Sequence, residues 1–350
     1  GSVLFLLALP LNAMLGWSIP LIIILTGVCV VLYAALGGIK AIVYTDAIQG
    51  LILIAGALAC LVILMVSMPG GGNELLRIGM EYDKFSLGSL GLTLNEPTFW
   101  VTLIYGLFIN LQNYGIDQNY VQRYKTARNE KSARFSALFG GLLYVPVSLL
   151  FFFIGTALFV YYKTQPGLLP ETVTGDQVFP YFIVNGLPAG FTGLLIAAIF
   201  AAGMSTVSTS INSSATVVLT DFFNVTSHSE ADEKRKMNIL HATSVILGAL
   251  GVGVGLAMMS VKSALDAWWS MAAIFSGGML GLFFLGYIAR GIKGSYAFVG
   301  VICGVLLIAW MSLSKQTVFH NYLTIVLGTL VIFTVGMLLA IAGSRLKKGN

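Results

Sequence analysis

Ten long apolar segments separated by short polar loops constrain this chain more than any other feature. Nine of them are long enough to cross a bilayer, whose hydrocarbon core of about 30 Å needs about 20 apolar residues in a helix. Hydrophobic residues make up 57% of the 350 and charged residues 9%. The chain is therefore predicted to be an all-α polytopic membrane protein. The segments lie at about 2–15, 18–37, 42–68, 98–122, 133–162, 188–220, 237–260, 268–289, 295–313 and 321–343.

Lysine and arginine concentrate in every second loop between these segments, while acidic residues match or outnumber them in loops such as 69–97 and 163–187. The basic groups are Lys40 and the stretches 123–134, 234–236, 290–293 and 345–348. Because basic loops stay in the cytoplasm, both ends of the chain are predicted to be cytoplasmic, in the plasma membrane. Loops 69–97 and 163–187 then face outward, and we expect them to hold short surface helices or to be plain connectors.

The segment from Ala197 to Asp221 carries a cluster of hydroxyl groups. At helical spacing Ser205, Ser208, Thr209 and Asn212 share one face. Hydroxyl and carbonyl oxygens are hard ligands and suit Na⁺ better than a transition metal. Small polar residues also join membrane helices to one another, and that interpretation stays open here.

Asp46 lies more than one turn inside the third apolar segment. A carboxylate there costs several kcal/mol unless it is paired, so intramembrane acids are candidate functional residues. One interpretation is an ion pair with Lys40 near the interface. The other is that Asp46 meets Ser205, Ser208 and Thr209, so that one carboxylate and three hydroxyls surround a monovalent cation.

The fourth apolar segment becomes rich in amides towards its end, and so polar a run is expected to line a cavity. Asn110, Asn113 and Tyr114 suit a polyhydroxylated solute, and a helix break near Gly115 would free backbone groups for a ligand. Asp117 and Gln118, which follow, are interpreted as part of a helix-end network with Arg123.

Several classes of function are not indicated by the sequence. The three cysteines all lie in apolar segments and the three histidines lack ligand spacing, so neither disulfides nor a zinc site is expected. The net charge of +5 is spread over short loops and indicates topology, not nucleic-acid binding. No nucleophile has an adjacent base, so an enzyme is not expected.

Three motifs, in this order, resemble the sodium/solute symporter family, which includes sodium/glucose and bacterial sodium/sialic acid cotransporters. They are the GGIKAIVYTDAIQG stretch around Asp46, NYGIDQNYVQRY from Asn113, and AAIFAAGMSTVSTSINS from Ala197. The resemblance implies the five-plus-five inverted repeat of the LeuT-type fold. Residues 1–289 would be a partial transporter core, from the end of core helix three to core helix ten. Residues 290–350 would be accessory helices, and the N-terminal core helices one and two would be missing from this chain.

The resemblance also assigns site residues. One sodium site would use the carbonyl of Ala202 and the hydroxyls of Ser205 and Thr206, with its other half on the missing core helix one. A second sodium site would comprise Asp46, Ser205, Ser208 and Thr209. Substrate contacts would fall on Gly106, Asn110 and Asn113, and Tyr114 is the candidate for an inner gate.

The function predicted on these grounds is sodium-coupled symport of a small polar solute by alternating access. A sialic acid or a sugar is favoured, while a monocarboxylate, inositol or a vitamin remains open as substrate. The alternative is a membrane sensor that binds such a solute without transport. The partners are Na⁺, the solute and the lipid bilayer, and the chain is not expected to transport without the missing helices.

Overall fold

The computed structural model describes residues 1–223, 230–260, 277–289, 291–314 and 318–348, and the regular secondary structure of this part is helical. The helices before residue 190 are α1 Ser2–Leu15, α2 Ile19–Ser67, α3 Gly71–Glu81, α4 Phe99–Ile116, α5 Gln118–Lys125, α6 Glu130–Thr164, α7 Val178–Asn185 and α8 Ala189–Val218. The later helices are α9 Glu230–Ala257, α10 Met279–Ile288, α11 Gly294–Leu313 and α12 Leu323–Lys348. A π-helical turn, Leu219–Phe223, extends α8.

The helices follow the predicted apolar segments closely. Within the described residues, six are long and apolar enough to cross a membrane: α2, α6, α8 with its π turn, α9, α11 and α12. Predicted segment 98–122 becomes α4 and the short α5. The first part of predicted segment 268–289 lies outside the described residues, and its end forms α10. The prediction of an all-α membrane protein is confirmed.

Two predicted segments merge into α2, which is 49 residues long. Gly38, between them, has φ 57° and ψ −163°, and therefore interrupts the helical backbone. Only glycine adopts this backbone conformation readily, because it has no Cβ. The pair Gly37-Gly38 thus separates the predicted spans 18–37 and 42–68 without a loop.

The described residues divide into two compact units, with the boundary between Val121 and Gln122 falling inside α5. The first unit comprises residues 1–85 and 122–264. Its hydrophobic core includes Leu64, Ile154, Phe182 and Leu195, contributed by α2, α6, α7 and α8. Helices α3 and α7 lie in the two loops predicted to face outward, so the expected short helices are present.

The second unit comprises residues 86–121 and 265–350. In it α4 packs against α10 and α12, and α11 packs against α12. A small core forms around Val101 of α4 and Leu323 and Val326 of α12. The backbone N–H of His320, just before α12, donates to the carbonyl of Leu94 at 2.7 Å.

Candidate cation site

The hydroxyl cluster of α8 lies against the second half of α2, within the first unit. Gly56 of α2 lies against Leu195 and Ala198 of α8, while Asp46, ten residues earlier on α2, meets residues 205–209 of α8. The two helices therefore run in opposite directions along their contact. This packing brings together residues that are 159 positions apart in the chain.

Asp46 accepts hydrogen bonds from two α8 hydroxyls. Ser205 donates to Oδ1 at 2.5 Å, and Thr209 donates to Oδ2 at 3.3 Å. The side chain of Asp46 is 10% exposed, so these hydroxyls replace much of its hydration. Near the carboxylate, the Tyr33 hydroxyl donates to the carbonyl of Met204 at 3.0 Å, which ties the first half of α2 to α8. The predicted meeting of Asp46 with the α8 face is therefore seen.

The counter-ion of Asp46 is Arg123 of α5. Its guanidinium forms an ion pair with Oδ2 of Asp46 and donates to the Thr209 hydroxyl oxygen at 2.8 Å. Arg123 was expected to join Asp117 and Gln118, and Lys40 was one of two partners considered for Asp46; the pairing of Arg123 with Asp46 corrects the first and replaces the second. Asp117 instead accepts the backbone N–H of Asn119 at 2.7 Å and so begins α5.

The sequence did contain an indication that Arg123 pairs with Asp46, although Arg123 was expected to pair with Asp117. An intramembrane carboxylate needs a positive partner, and the polar run after Gly115 ends in an arginine. Proximity in sequence favoured Asp117 as its partner. Only the packing of α2 and α8 brings Asp46 within reach, across 77 positions.

The other predicted sodium ligands form bonds within α8. The Ser208 hydroxyl is fully buried and donates to the carbonyl of Ser205 at 3.0 Å. The Thr206 hydroxyl is exposed and donates to the carbonyl of Ala202 at 3.1 Å. The structure thus brings Asp46 of α2 together with Ser205 and Thr209 of α8. Ser208 and the Ala202–Thr206 pair lie beside these two residues on α8.

The chemistry of this arrangement is that of a site for a hard monovalent cation. One carboxylate supplies a single negative charge, and hydroxyl lone pairs supply neutral oxygen ligands. The guanidinium of Arg123 already uses two of these oxygens, one on Asp46 and one on Thr209. Asp46 and Thr209, which contact this positive group, are two of the six residues predicted to bind Na⁺.

The predicted substrate residues lie on α4, in the second unit. The amide of Asn110 donates to the carbonyl of Gly106 at 2.7 Å, and both belong to one turn of the helix. Asn113 is half-buried, and the ring of Tyr114 lies 4.9 Å from that of Tyr120. The helix ends at Ile116, so the break predicted near Gly115 occurs at Asp117.

A poorly exposed carboxylate that accepts hydrogen bonds from hydroxyls between membrane-length helices is typical of proteins that move ions or ion-coupled solutes. The model described as the sodium:solute symporter family matches residues 4–304. The chain belongs to the sodium:solute symporter family. This confirms the family inferred from the three motifs, with Na⁺ as the coupling ion, and makes the chain a multi-pass membrane protein of a family of transporters.

Sialic acid symporters of bacteria are among its similar relatives. The chain is 33% identical over 341 residues to the sodium/sialic acid symporter NanT of Aliivibrio fischeri, covering 97% of this chain and 67% of that protein. It is 31% identical to the sodium/sialic acid symporter SiaT of Proteus mirabilis, covering 86% of this chain and 62% of SiaT. A sodium-dependent multivitamin transporter of Oryctolagus cuniculus is 31% identical, and the match covers 50% of its length. The chain thus spans about two thirds of the bacterial relatives and half of the mammalian one.

A solved structure confirms the fold. It is the substrate-bound, outward-open state of a Na⁺-coupled sialic acid symporter, with a TM-score of 0.87 and 29% sequence identity. The match covers 97% of this chain and 70% of the other. The predicted LeuT-type architecture and sodium-coupled symport are therefore confirmed at the level of the family.

Proposed function

We propose that this protein takes up a sialic acid together with Na⁺ and has no catalytic activity of its own. The observation that carries the proposal is the contact of Asp46 with Ser205 and Thr209. These residues, with Ser208, are the proposed ligands of one Na⁺. Ala202, Ser205 and Thr206 are proposed as the α8 half of a second Na⁺ site.

The substrate assignment is supported by the relatives and by the chemistry of α4. NanT and SiaT are sodium/sialic acid symporters by name. Gly106, Asn110, Asn113 and Tyr114 are proposed to contact the solute. Amide groups and a tyrosine ring offer the donors, acceptors and apolar face that a polyhydroxylated solute needs.

The driving force of the proposed transport comes from the membrane potential and the Na⁺ gradient. Each positive charge that crosses 100 mV contributes about 2.3 kcal/mol. We propose that residues 1–289 form the transporting core and residues 290–350 accessory helices. Both ends of the chain are proposed to be cytoplasmic, supported by the alternation of basic loops.

The orientation has its own test. A single cysteine would replace either Lys131 or Glu96, both exposed, in a protein whose native cysteines have been removed. A membrane-impermeant maleimide added outside intact cells should label the cysteine at 96 and leave the one at 131 unlabelled. The reverse pattern would refute the orientation.

Uptake by the intact protein in proteoliposomes tests the proposed function. Labelled sialic acid should accumulate with an inward Na⁺ gradient and not with an equal K⁺ gradient. Asp46→Asn should reduce this uptake and raise the Na⁺ concentration needed for half-maximal rate. Ser210→Ala, which removes an exposed α8 hydroxyl that donates to the carbonyl of Thr206 on the same helix, is the matched control.

Uptake of labelled sialic acid, glucose, inositol, pyruvate and biotin, each measured separately, identifies the substrate class. Na⁺-driven uptake of one of the last four with no uptake of sialic acid would overturn the substrate assignment. Saturable binding of sialic acid with no accumulation under any gradient would instead identify a sensor.

A further inference from the structure

Arg123 forms an ion pair with Asp46, the carboxylate that is proposed to bind Na⁺. Its guanidinium contacts Asp46 Oδ2 and the Thr209 hydroxyl oxygen. A Na⁺ ion at this site would use the same two oxygens. Two positive groups on the same oxygens would repel each other strongly in so poorly hydrated a place.

Charge balance also prevents Na⁺ and the Arg123 guanidinium from occupying the site at the same time. Asp46 carries a single negative charge, and its side chain is only 10% exposed. Adding Na⁺ beside Arg123 would leave an excess positive charge in a poorly hydrated region of a membrane helix pair, which costs several kcal/mol. One of the two cations must therefore leave when the other binds.

Arg123 is the group that is able to leave. Its side chain is 40% exposed, against 10% for Asp46, so it reaches the carboxylate from the more exposed side of the site. Its Nε is buried without a hydrogen-bond partner in the described part of the chain. The arginine therefore leaves part of its hydrogen-bonding capacity unused in this position, and water would satisfy it elsewhere.

The neighbouring residue connects this exchange to the position of α5. Gln122 donates to the Thr216 hydroxyl at 3.1 Å, two turns beyond Thr209 on α8. Two consecutive α5 side chains thus hold this end of α5 along the polar face of α8. The same stretch of chain, nine residues earlier, carries Tyr114, one of the proposed substrate residues.

We propose that Arg123 is a tethered counter-cation that competes with Na⁺ for Asp46, so that Na⁺ binding releases the C-terminal end of α5 from α8. This inference rests on the proposed sodium site and adds a competitor within the chain. Without Na⁺, Arg123 keeps Asp46 neutralised and the helices joined. With Na⁺ bound, α5 is free to move, and the ion controls the chain segment that follows the substrate residues.

The test is a Na⁺ titration of thermal unfolding with the purified intact protein, with choline keeping the ionic strength constant. Arg123→Gln should lower the half-saturating Na⁺ concentration by roughly fivefold or more, as expected when a competing ligand is removed. Arg123→Lys keeps a positive charge and should stay close to the native value. Arg134→Gln, which breaks an exposed ion pair with Glu130, is the control and should change nothing.

The effect must also depend on Asp46. In an Asp46→Asn background, Arg123→Gln should produce no further shift in the Na⁺ response. An unchanged or raised half-saturating concentration in Arg123→Gln with Asp46 intact would overturn the proposal. That result would mean that Arg123 supports the site or binds alongside the ion.

A second measurement needs no variant at residue 123. Phenylglyoxal modification of the native protein, followed by peptide mass spectrometry, should be faster at Arg123 in Na⁺ than in choline, while Arg134 reacts equally in both. Slower or unchanged reaction at Arg123 would contradict the proposal. Both measurements report Na⁺ binding. A failure of sialic acid uptake alone would therefore contradict the proposed function and would not affect this inference.

Discussion

Ser205 of α8 donates its hydroxyl hydrogen to Oδ1 of Asp46 on α2, at 2.5 Å. The bond joins the centre of the hydroxyl cluster to a poorly hydrated carboxylate. It fixes the relative position of two long helices that are not neighbours in sequence. The stability of the site should therefore depend on this hydroxyl more than on others of the same helix.

Replacing Ser205 with alanine should lower the free energy of unfolding by about 1.5–3 kcal/mol, the usual contribution of a hydrogen bond to a charged group. Thermal unfolding in detergent without Na⁺ measures this. Ser210→Ala is matched, because it removes the same hydroxyl from an exposed position on the same helix. It should change stability by less than about 0.5 kcal/mol. Equal effects of the two changes would contradict the role given to Ser205.

Tyr33→Phe should destabilise the first unit modestly. The Tyr33 hydroxyl donates to the Met204 carbonyl at 3.0 Å, and losing a neutral hydrogen bond costs about 0.5–1.5 kcal/mol. Tyr44→Phe is the control, since the Tyr44 side chain is 73% exposed. Thermal unfolding of both variants should show a loss only for Tyr33→Phe; a loss of the same size in Tyr44→Phe would count against the Met204 bond.

Ser213→Ala should leave stability unchanged or raise it by about 1 kcal/mol. The Ser213 hydroxyl is buried, and its oxygen has no hydrogen-bond partner among the described residues. Removing a buried polar group that is unsatisfied removes its desolvation cost. A loss above 1 kcal/mol would show that this hydroxyl does have a partner in the membrane-embedded protein.

Acidification should weaken the second unit through His320. Burial lowers the pKa of His320 below its ordinary 6.5, and Nδ1 accepts the backbone N–H of Tyr322 at 3.3 Å. The unfolded chain therefore binds the proton first. The contribution of neutral His320 to the free energy of unfolding should be fully present above pH 6.5. It should be lost as the pH falls from 6.5 to the lower pKa of the folded state.

The measurement for His320 is the unfolding temperature between pH 7.5 and 5. His320→Asn keeps an acceptor near the position of Nδ1 but does not titrate, so its unfolding temperature should fall less over this range. An identical pH dependence in the native protein and in His320→Asn would exclude this histidine as the source.

The sequence was most informative where a pattern repeats. Apolar runs predicted the helices because the bilayer requires about 20 apolar residues per span, whatever the tertiary contacts. The separation of two spans near Gly38 was also predictable, since Gly37-Gly38 and Lys40 interrupt the apolar run. The break expected near Gly115 lies at Asp117, where the carboxylate accepts the backbone N–H of Asn119 and α5 begins.

The sequence by itself determined that the chain spans a membrane, that Asp46 needs compensation and that α8 offers hydroxyls for it, because these follow from hydrophobicity, charge and helical period. Only the tertiary structure decided that Arg123 is the compensating charge. An ion pair across 77 positions depends on how α2, α5 and α8 pack, and local sequence carries no measure of that distance.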